Sequence, residues 1–209
     1  LIDLESKGSE ETRRILNVLS RHSNRLNQLV EDLLILSRVE ERALDPIFEP
    51  VDVAKFLDRV KKDSSHFLKS DIQLKSEIEK GIKIIYMDPF RMEQVFHNLV
   101  DNAQRHSESS SDIRLGVKRD QESDTYHFYV KDQGAGIPSD KLPLIFNRFY
   151  RVDRARSRAR GGTGLGLTIV REIMRAHGGD AWAQSDVGEG TTIWVSLPDR
   201  STDLPAADK

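Results

Sequence analysis

Tyr126-His127-Phe128-Tyr129-Val130-Lys131-Asp132-Gln133-Gly134-Ala135-Gly136-Ile137-Pro138 is the stretch on which the fold turns. Tyr126, Phe128 and Val130 alternate with His127, Tyr129 and Lys131, the period of a strand with one buried face. The alternation then breaks at an acid followed by two spaced glycines. Upstream, Ile113, Leu115 and Val117 alternate with Arg114, Gly116 and Lys118 in a second strand of the same kind. Downstream, Asp180 to Gln184 and Thr191 to Leu197 are joined across Gly188-Glu189-Gly190 and read as a closing hairpin.

Helical patterns lie between these strands. Asp88-Pro89 starts one, with Asp as N-cap and Pro in the first turn, and Met92, Phe96, Leu99, Val100 and Ala103 form its buried stripe. A second runs from about Leu165 to His177 and stops at Gly178-Gly179. Val53 to Leu68 is amphipathic and predicts a third, while Ile72 to Ile78 and Lys83 to Tyr86 read as short strands. Strands and helices without strict alternation predict an α+β sandwich, a mixed sheet with helices on one face. A doubly wound parallel sheet fits less well.

Residues 1–45 follow another rule. Ile15, Leu19, His22, Leu26, Leu29, Leu33 and Leu36 recur at steps of four and three, a heptad seam that needs a partner helix. Ser9 followed by Glu10 and Glu11 is an N-terminal cap with acids in the first turn. A helix from about Ser9 to Ala43 would be roughly 50 Å long. Asp45-Pro46 ends it, and the expected division is 1–45, 46–198 and a disordered tail over 199–209.

Composition narrows the classes. With 32 Lys+Arg against 34 Asp+Glu the net charge is -2, without the basic footprint of a nucleic-acid binder. The absence of cysteine excludes disulfides and thiolate-ligated metals and suits a reducing compartment. The longest aliphatic run, Leu33-Leu34-Ile35-Leu36, is too short to cross a bilayer. The sequence opens on Leu1, as expected of a piece of a longer product whose missing part could hold a membrane segment.

Three constellations carry chemistry. Asn98, Asn102 and Arg105 stand at i, i+4 and i+7 on one helix face; amide oxygens there suit a hard metal ion and the cation suits a phosphate. Alone, this spacing fits a solvated polar face better. Asp132 at a strand end can accept a hydrogen bond from an exocyclic amine such as adenine N6, and Gly134 and Gly136 permit close backbone approach, although an ordinary glycine turn shares the pattern. Gly161-Gly162-Thr163-Gly164-Leu165-Gly166-Leu167 opens a helix as an anion site would, but matches neither the P-loop nor the dinucleotide fingerprint. Between the last two lies a cationic loop with Arg148, Arg151, Arg154, Arg156, Arg158 and Arg160 against Asp153, read as a lid over phosphates.

In this order the features resemble the N, G1, F and G2 boxes of sensor histidine kinases of two-component systems. The matching text is Asn98 to His106, Asp132 to Ile137, Ile145 to Asp153 and Gly161 to Leu167, and the likeness spans about residues 10 to 198. Phe146 to Leu167 is closest to the phosphate-sensing and cell-wall-sensing branch. The resemblance implies the ATP-binding sandwich shared with gyrase, Hsp90 and MutL. It implies that Asn102 holds Mg²⁺ with Asn98 beside it, that Arg105 meets phosphate, and that His106 lies against the nucleoside. Asp132 would read adenine over a floor shaped by Gly134 and Gly136. Tyr150, Arg151, Gly162, Gly164 and Gly166 would close over the triphosphate, and Ile137, Phe146, Thr163, Leu165 and Leu167 complete the implied ATP site. A homodimer through the heptad helix, a response-regulator receiver domain as partner, and a cytoplasmic place in a membrane-anchored sensor are implied as well.

One departure is decisive for the chemistry. The family's phospho-accepting histidine sits in a motif of His, an acid, Leu, a basic residue, Thr and Pro, and no such motif occurs here. His22, in Arg21-His22-Ser23-Asn24, lacks the adjacent acid and the Pro and fills a seam position; His66, His97, His127 and His177 lack metal-ligand spacing. The acceptor is therefore expected outside the chain. An ATP-hydrolysing switch of the gyrase type would need Glu where Asn98 stands, to activate water. A non-catalytic ATP-binding or scaffold module is the remaining alternative, and the four boxes argue against it.

Overall fold

The computed structural model describes residues 44–68, 71–107, 111–152 and 163–201, with positions 12, 13, 15, 16, 19, 23, 26, 30, 34 and 37. Seven strands and three helices are named here in chain order: β1 (Glu49–Asp52), α1 (Val53–Ser65), β2 (Gln73–Ile78), β3 (Ile84–Met87), α2 (Pro89–His106), β4 (Asp112–Asp120), β5 (Thr125–Lys131), α3 (Gly166–Ala176), β6 (Ala181–Asp186) and β7 (Gly190–Pro198). The main sheet has the order β2-β4-β5-β7-β6. Its β2–β4 pair is parallel and the rest antiparallel, so the sheet is mixed. This is the expected α+β sandwich. A two-stranded ribbon pairs β3, which the sequence pattern gives, with β1, which it does not.

Cross-strand register sorts the side chains into two faces. Leu115, Val130 and Ile193 lie side by side, as do Val117, Phe128 and Val195, and all are buried toward the helices. Phe96 of α2 stands at the centre, fully buried, with its ring edge-on to Phe56 of α1 (5.5 Å) and to Phe128 of β5 (5.8 Å). The opposite face carries Tyr129, Trp194 and Trp182 in one row; Tyr129 and Trp194 are 4.8 Å apart and the two indoles stack at 6.1 Å. Gly116 belongs to that row because a Cβ there would enter the Tyr129 ring. Burial, with the Glu77 carboxylate 2.7 Å away, pushes the Tyr129 hydroxyl up to about 12.

Local caps set where the helices begin. Asp52 Oδ1 accepts the Lys55 N–H at 3.1 Å, and Asp88 Oδ1 accepts the Arg91 N–H at 3.0 Å with Pro89 in the first turn. The second oxygen of Asp88 takes the Ile47 N–H at 3.0 Å, which ties the segment entering β1 to the start of α2. Gly178, at φ +82°, closes α3 as anticipated. His177 beside it is fully buried, its Nδ1 2.8 Å from the Ile173 carbonyl oxygen; burial holds its pKa below the ordinary value.

The described positions between 12 and 37 are all helical. Ile15, Leu19 and Leu26 of the heptad seam are exposed, while His22, Leu29, Leu33 and Leu36 lie outside the described residues. Leu44, assigned to the helical segment by sequence, instead joins the sandwich core. The tail expected to be disordered from Asp199 is tied at its start: Asp199 accepts from Arg119 (2.8 Å) and from the Tyr126 hydroxyl (3.2 Å). Residues 202–209 lie outside the described residues.

Phe96→Ala removes the ring common to both edge-on contacts and should cost about 3–5 kcal/mol in urea unfolding. Phe90→Ala, at a ring that is 69% exposed, should stay within about 0.5 kcal/mol of the parent. Equal costs for the two would displace Phe96 from the centre of the core.

Candidate functional site

Asp132 directly follows β5 with only 3% of its surface exposed. Its Oδ1 accepts the Gly134 N–H at 2.8 Å and the Thr191 N–H at 3.2 Å, and its own N–H donates to the Thr191 carbonyl at 2.8 Å. Both side-chain bonds land on Oδ1, and none among the described residues is recorded at Oδ2. Burial raises the Asp132 pKa, and the two backbone donors work against that rise. The result is a buried carboxylate, fixed in direction, at the open end of a central strand.

The turn that follows is built by close backbone approach. A Cβ on Gly134 would collide with the His106 carbonyl at the end of α2, and Ser107 pairs with Gly134 in an isolated bridge. Gly136 has φ +70° and lies against the Asp186 carbonyl. Ile137 donates its N–H to Ser185 Oγ at 2.8 Å, and that hydroxyl donates to the Gly190 carbonyl at 2.7 Å. The turn is thus held against α2 on one side and the β6–β7 hairpin on the other.

The polar face of α2 meets the start of α3. Asn98 Nδ2 donates to the Gln94 carbonyl at 3.0 Å, which turns Oδ1 the other way. There it lies 3.0 Å from where a Cβ on Gly166 would stand. The cap of α3, Leu165, contributes no side-chain hydrogen bond, so the first-turn N–H groups of α3 gain no side-chain cap from it. Asn102 lies one turn beyond Asn98 on the same face. Amide oxygens beside uncapped N–H groups suit a magnesium ion that shares its shell with phosphate oxygens. No cluster of three or more His, Cys, Asp or Glu side chains that could hold a metal ion occurs among the described residues.

The other predicted residues divide into four groups. Arg105 is not an isolated cation; its Nε donates to Asp101 Oδ2 at 2.7 Å. Phe146 and Leu165 are buried, and Ile137, Tyr150 and Leu167 pack on the core from its edge. Gly164, at φ +76°, accepts the Phe149 N–H at 2.9 Å through its carbonyl, and Thr163 Oγ1 accepts the Leu165 N–H at 3.2 Å. Arg151 is half-buried and the His106 side chain exposed, whereas Gly162 and the arginines from Arg154 to Arg160 lie outside the described residues.

Sequence reasoning missed Thr191, Ser185 and Thr168. Thr168 Oγ1 donates to the Phe146 carbonyl at 3.0 Å and so joins α3 to the loop around Phe146. The signal for Thr191 lay in the register of β7 beside β5, which places Thr192 opposite Lys131. Nothing in the local pattern marks Ser185 or Thr168.

Residues 87–201 match the family model described as histidine kinase-, DNA gyrase B-, and HSP90-like ATPase. The chain is 38% identical over 192 residues to the sensor protein kinase WalK of Staphylococcus saprophyticus, covering 92% of this chain and 31% of that protein. It is 37% identical over 192 residues to a WalK of Staphylococcus aureus, covering 92% of this chain and 46% of that one. The chain thus spans less than half the length of these relatives. Among solved structures, full-length ShkA in complex with AMPPNP superposes with a TM-score of 0.78 at 26% identity, covering 90% of this chain and 39% of that one.

A raised pKa at Asp132 means that the native state takes up this proton at a higher pH than the unfolded chain. The stabilisation that protonation brings is present below the ordinary carboxylate range and is lost as pH rises through the raised value. Asp132→Asn keeps an oxygen for both N–H donors and removes the buried charge. In urea unfolding at pH 7 the variant should equal or exceed the parent in stability, with the gap closing on acidification. A variant less stable at pH 7, by a margin that grows in acid, would contradict this account.

Proposed function

The chain belongs to the histidine kinase-, DNA gyrase B-, and HSP90-like ATPase family, and on that premise we propose that it is the ATP-binding catalytic part of a sensor histidine kinase. It would bind Mg-ATP and phosphorylate a histidine on a dimerisation helix outside these 209 residues, for onward transfer to a response-regulator aspartate. The observation that carries this reading is the Asp132 carboxylate, buried and held by one oxygen, with the other available to an exocyclic amine such as adenine N6. The ShkA neighbour was solved with AMPPNP, which supports an adenine nucleotide as the ligand.

The roles assigned here are those that the resemblance to sensor histidine kinases implies, and the residue chemistry agrees with them. Asn102 and Asn98 would offer amide oxygens to Mg²⁺, and the ion would neutralise charge building on the phosphates. Gly164 and Gly166 would let the backbone at the start of α3 approach phosphate oxygens closely enough to donate N–H groups to them. Arg105 and Arg151 would add cationic charge, with Tyr150, Gly162 and Thr163 beside them. Gly134, Gly136 and Ile137 would shape the floor under the base, His106 would border the nucleoside, and Phe146, Leu165 and Leu167 would back the site from the core. Asn98 cannot take a proton from water, so the chemistry is transfer to a supplied nucleophile rather than hydrolysis. The heptad residues Ile15, Leu19, His22, Leu26, Leu29, Leu33 and Leu36 would join two copies in a homodimer. No described helix is long and apolar enough to cross a membrane; anchoring, if present in the whole protein, would come through another part of it. The domain division at 45–46, modified by Leu44 in the sandwich core, is part of the same proposal.

Labelled ATP tests it. With Mg²⁺ the 209-residue chain should bind ATP yet retain no acid-labile phosphate, and His22→Gln should change nothing. The same chain should phosphorylate a supplied helical hairpin that carries an acceptor histidine in the family motif. Uptake by the chain alone that disappears in His22→Gln would move the acceptor inside it. Tight Mg-ATP binding without transfer to the hairpin would favour a non-catalytic module.

A further inference from the structure

Asp101 stands one position before Asn102 and one turn before Arg105 on α2, at the flank of the polar face, where a carboxylate would repel the phosphates of the proposed ligand. Its contacts explain why it is tolerated. Asp101 Oδ1 accepts from Gln104 Nε2 at 3.2 Å, and Oδ2 accepts from Arg105 Nε at 2.7 Å. Gln104 is buried, 8% exposed, so the group that fixes the carboxylate is itself fixed by the core. The ion pair spans i to i+4 on a helix with both side chains partly in water, a setting in which such pairs add little stability. Stability is therefore a poor reason for spending a buried amide on it.

We propose that Asp101 is a positioning residue: anchored by Gln104, it holds the Arg105 guanidinium by its Nε side and sets the direction in which the terminal nitrogens meet the phosphates of ATP. The inference rests on the nucleotide reading above and assigns a role to a residue outside the four motifs' implied ligand set. A guanidinium recognises phosphate through a planar fork, and that fork is effective only when its plane is fixed. Arg105 shares its face with Asn98 and Asn102, and Asn98 Oδ1 meets the Gly166 turn at the start of α3, so the held cation borders the region where phosphates would lie. The hydrogen-bond acceptor, not the negative charge, is what the role requires. Asparagine can supply the acceptor to Arg105 through its one oxygen, with its amide nitrogen donating to Gln104 Oε1 once that amide turns over, and alanine cannot.

Calorimetry on the 209-residue chain with Mg²⁺, using ATP and adenosine as probes, decides the matter. Asp101→Ala should weaken ATP roughly tenfold, the size of one lost hydrogen bond to a charged group, and leave adenosine within about twofold. Asp101→Asn should retain ATP within about threefold of the parent. Arg105→Ala should weaken ATP at least as much, and the double variant Asp101→Ala/Arg105→Ala should be no weaker than Arg105→Ala alone, because the two residues act in series. Parent-like ATP affinity in Asp101→Ala, an equal loss for adenosine, or a full repeat of the loss in the Arg105→Ala background would each overturn the positioning role while leaving the nucleotide reading in place. Failure of the parent chain itself to bind ATP would overturn both.

Discussion

The Asp132 carboxylate takes two backbone N–H groups on one oxygen at the end of a central strand, and the geometry of the site depends on that clamp. One donor belongs to the glycine turn, the other to β7, which lies fifty-nine positions away in the chain. A carboxylate this buried is held at a cost, visible in its raised pKa, and the two donors offset only part of it. A protein that needed only a turn at this point could use a neutral residue. Retaining the acid makes physical sense where a donor from outside the chain completes its coordination.

Three segments are assembled around that clamp. The turn from Gly134 to Ile137 is pressed against the α2 terminus through the His106 carbonyl and against the hairpin through Ser185. The start of α3 faces Asn98 across the missing Cβ of Gly166, and Thr168 draws in the Phe146 loop. The edge-on cluster of Phe56, Phe96 and Phe128 supplies the rigid base, because α2 carries the amides on one face and Phe96 on the other. Polar and apolar roles are thus divided around a single helix, and the position of the site follows from the packing of that helix on the sheet.

Much of this was legible in the sequence because the signals are local. Asp88-Pro89 specifies a cap and first turn with two adjacent residues, and Tyr126, Phe128 and Val130 show their face within six positions. The glycine motifs marked where the backbone must come close, and the structure shows what it comes close to. Other features had no local signal. The strand β1 is four residues long and buries only Val51, so no alternation betrays it or its pairing with β3. Asp199 is anchored by Arg119 and Tyr126, far upstream in the chain, and composition alone placed it in a loose tail. The Asp101–Arg105 pair spans four positions, yet i to i+4 charges are so common on helix surfaces that spacing alone assigns them nothing.

The most direct test of the central claim is a crystal structure of this chain with Mg²⁺ and a non-hydrolysable ATP analogue. The account predicts the adenine exocyclic amine within hydrogen-bond reach, roughly 3 Å, of Asp132 Oδ2, with Oδ1 still holding Gly134 and Thr191. An adenine seated elsewhere, such as the polar pocket lined by Lys80, Lys83 and Arg119 at the other end of the sheet, would contradict it.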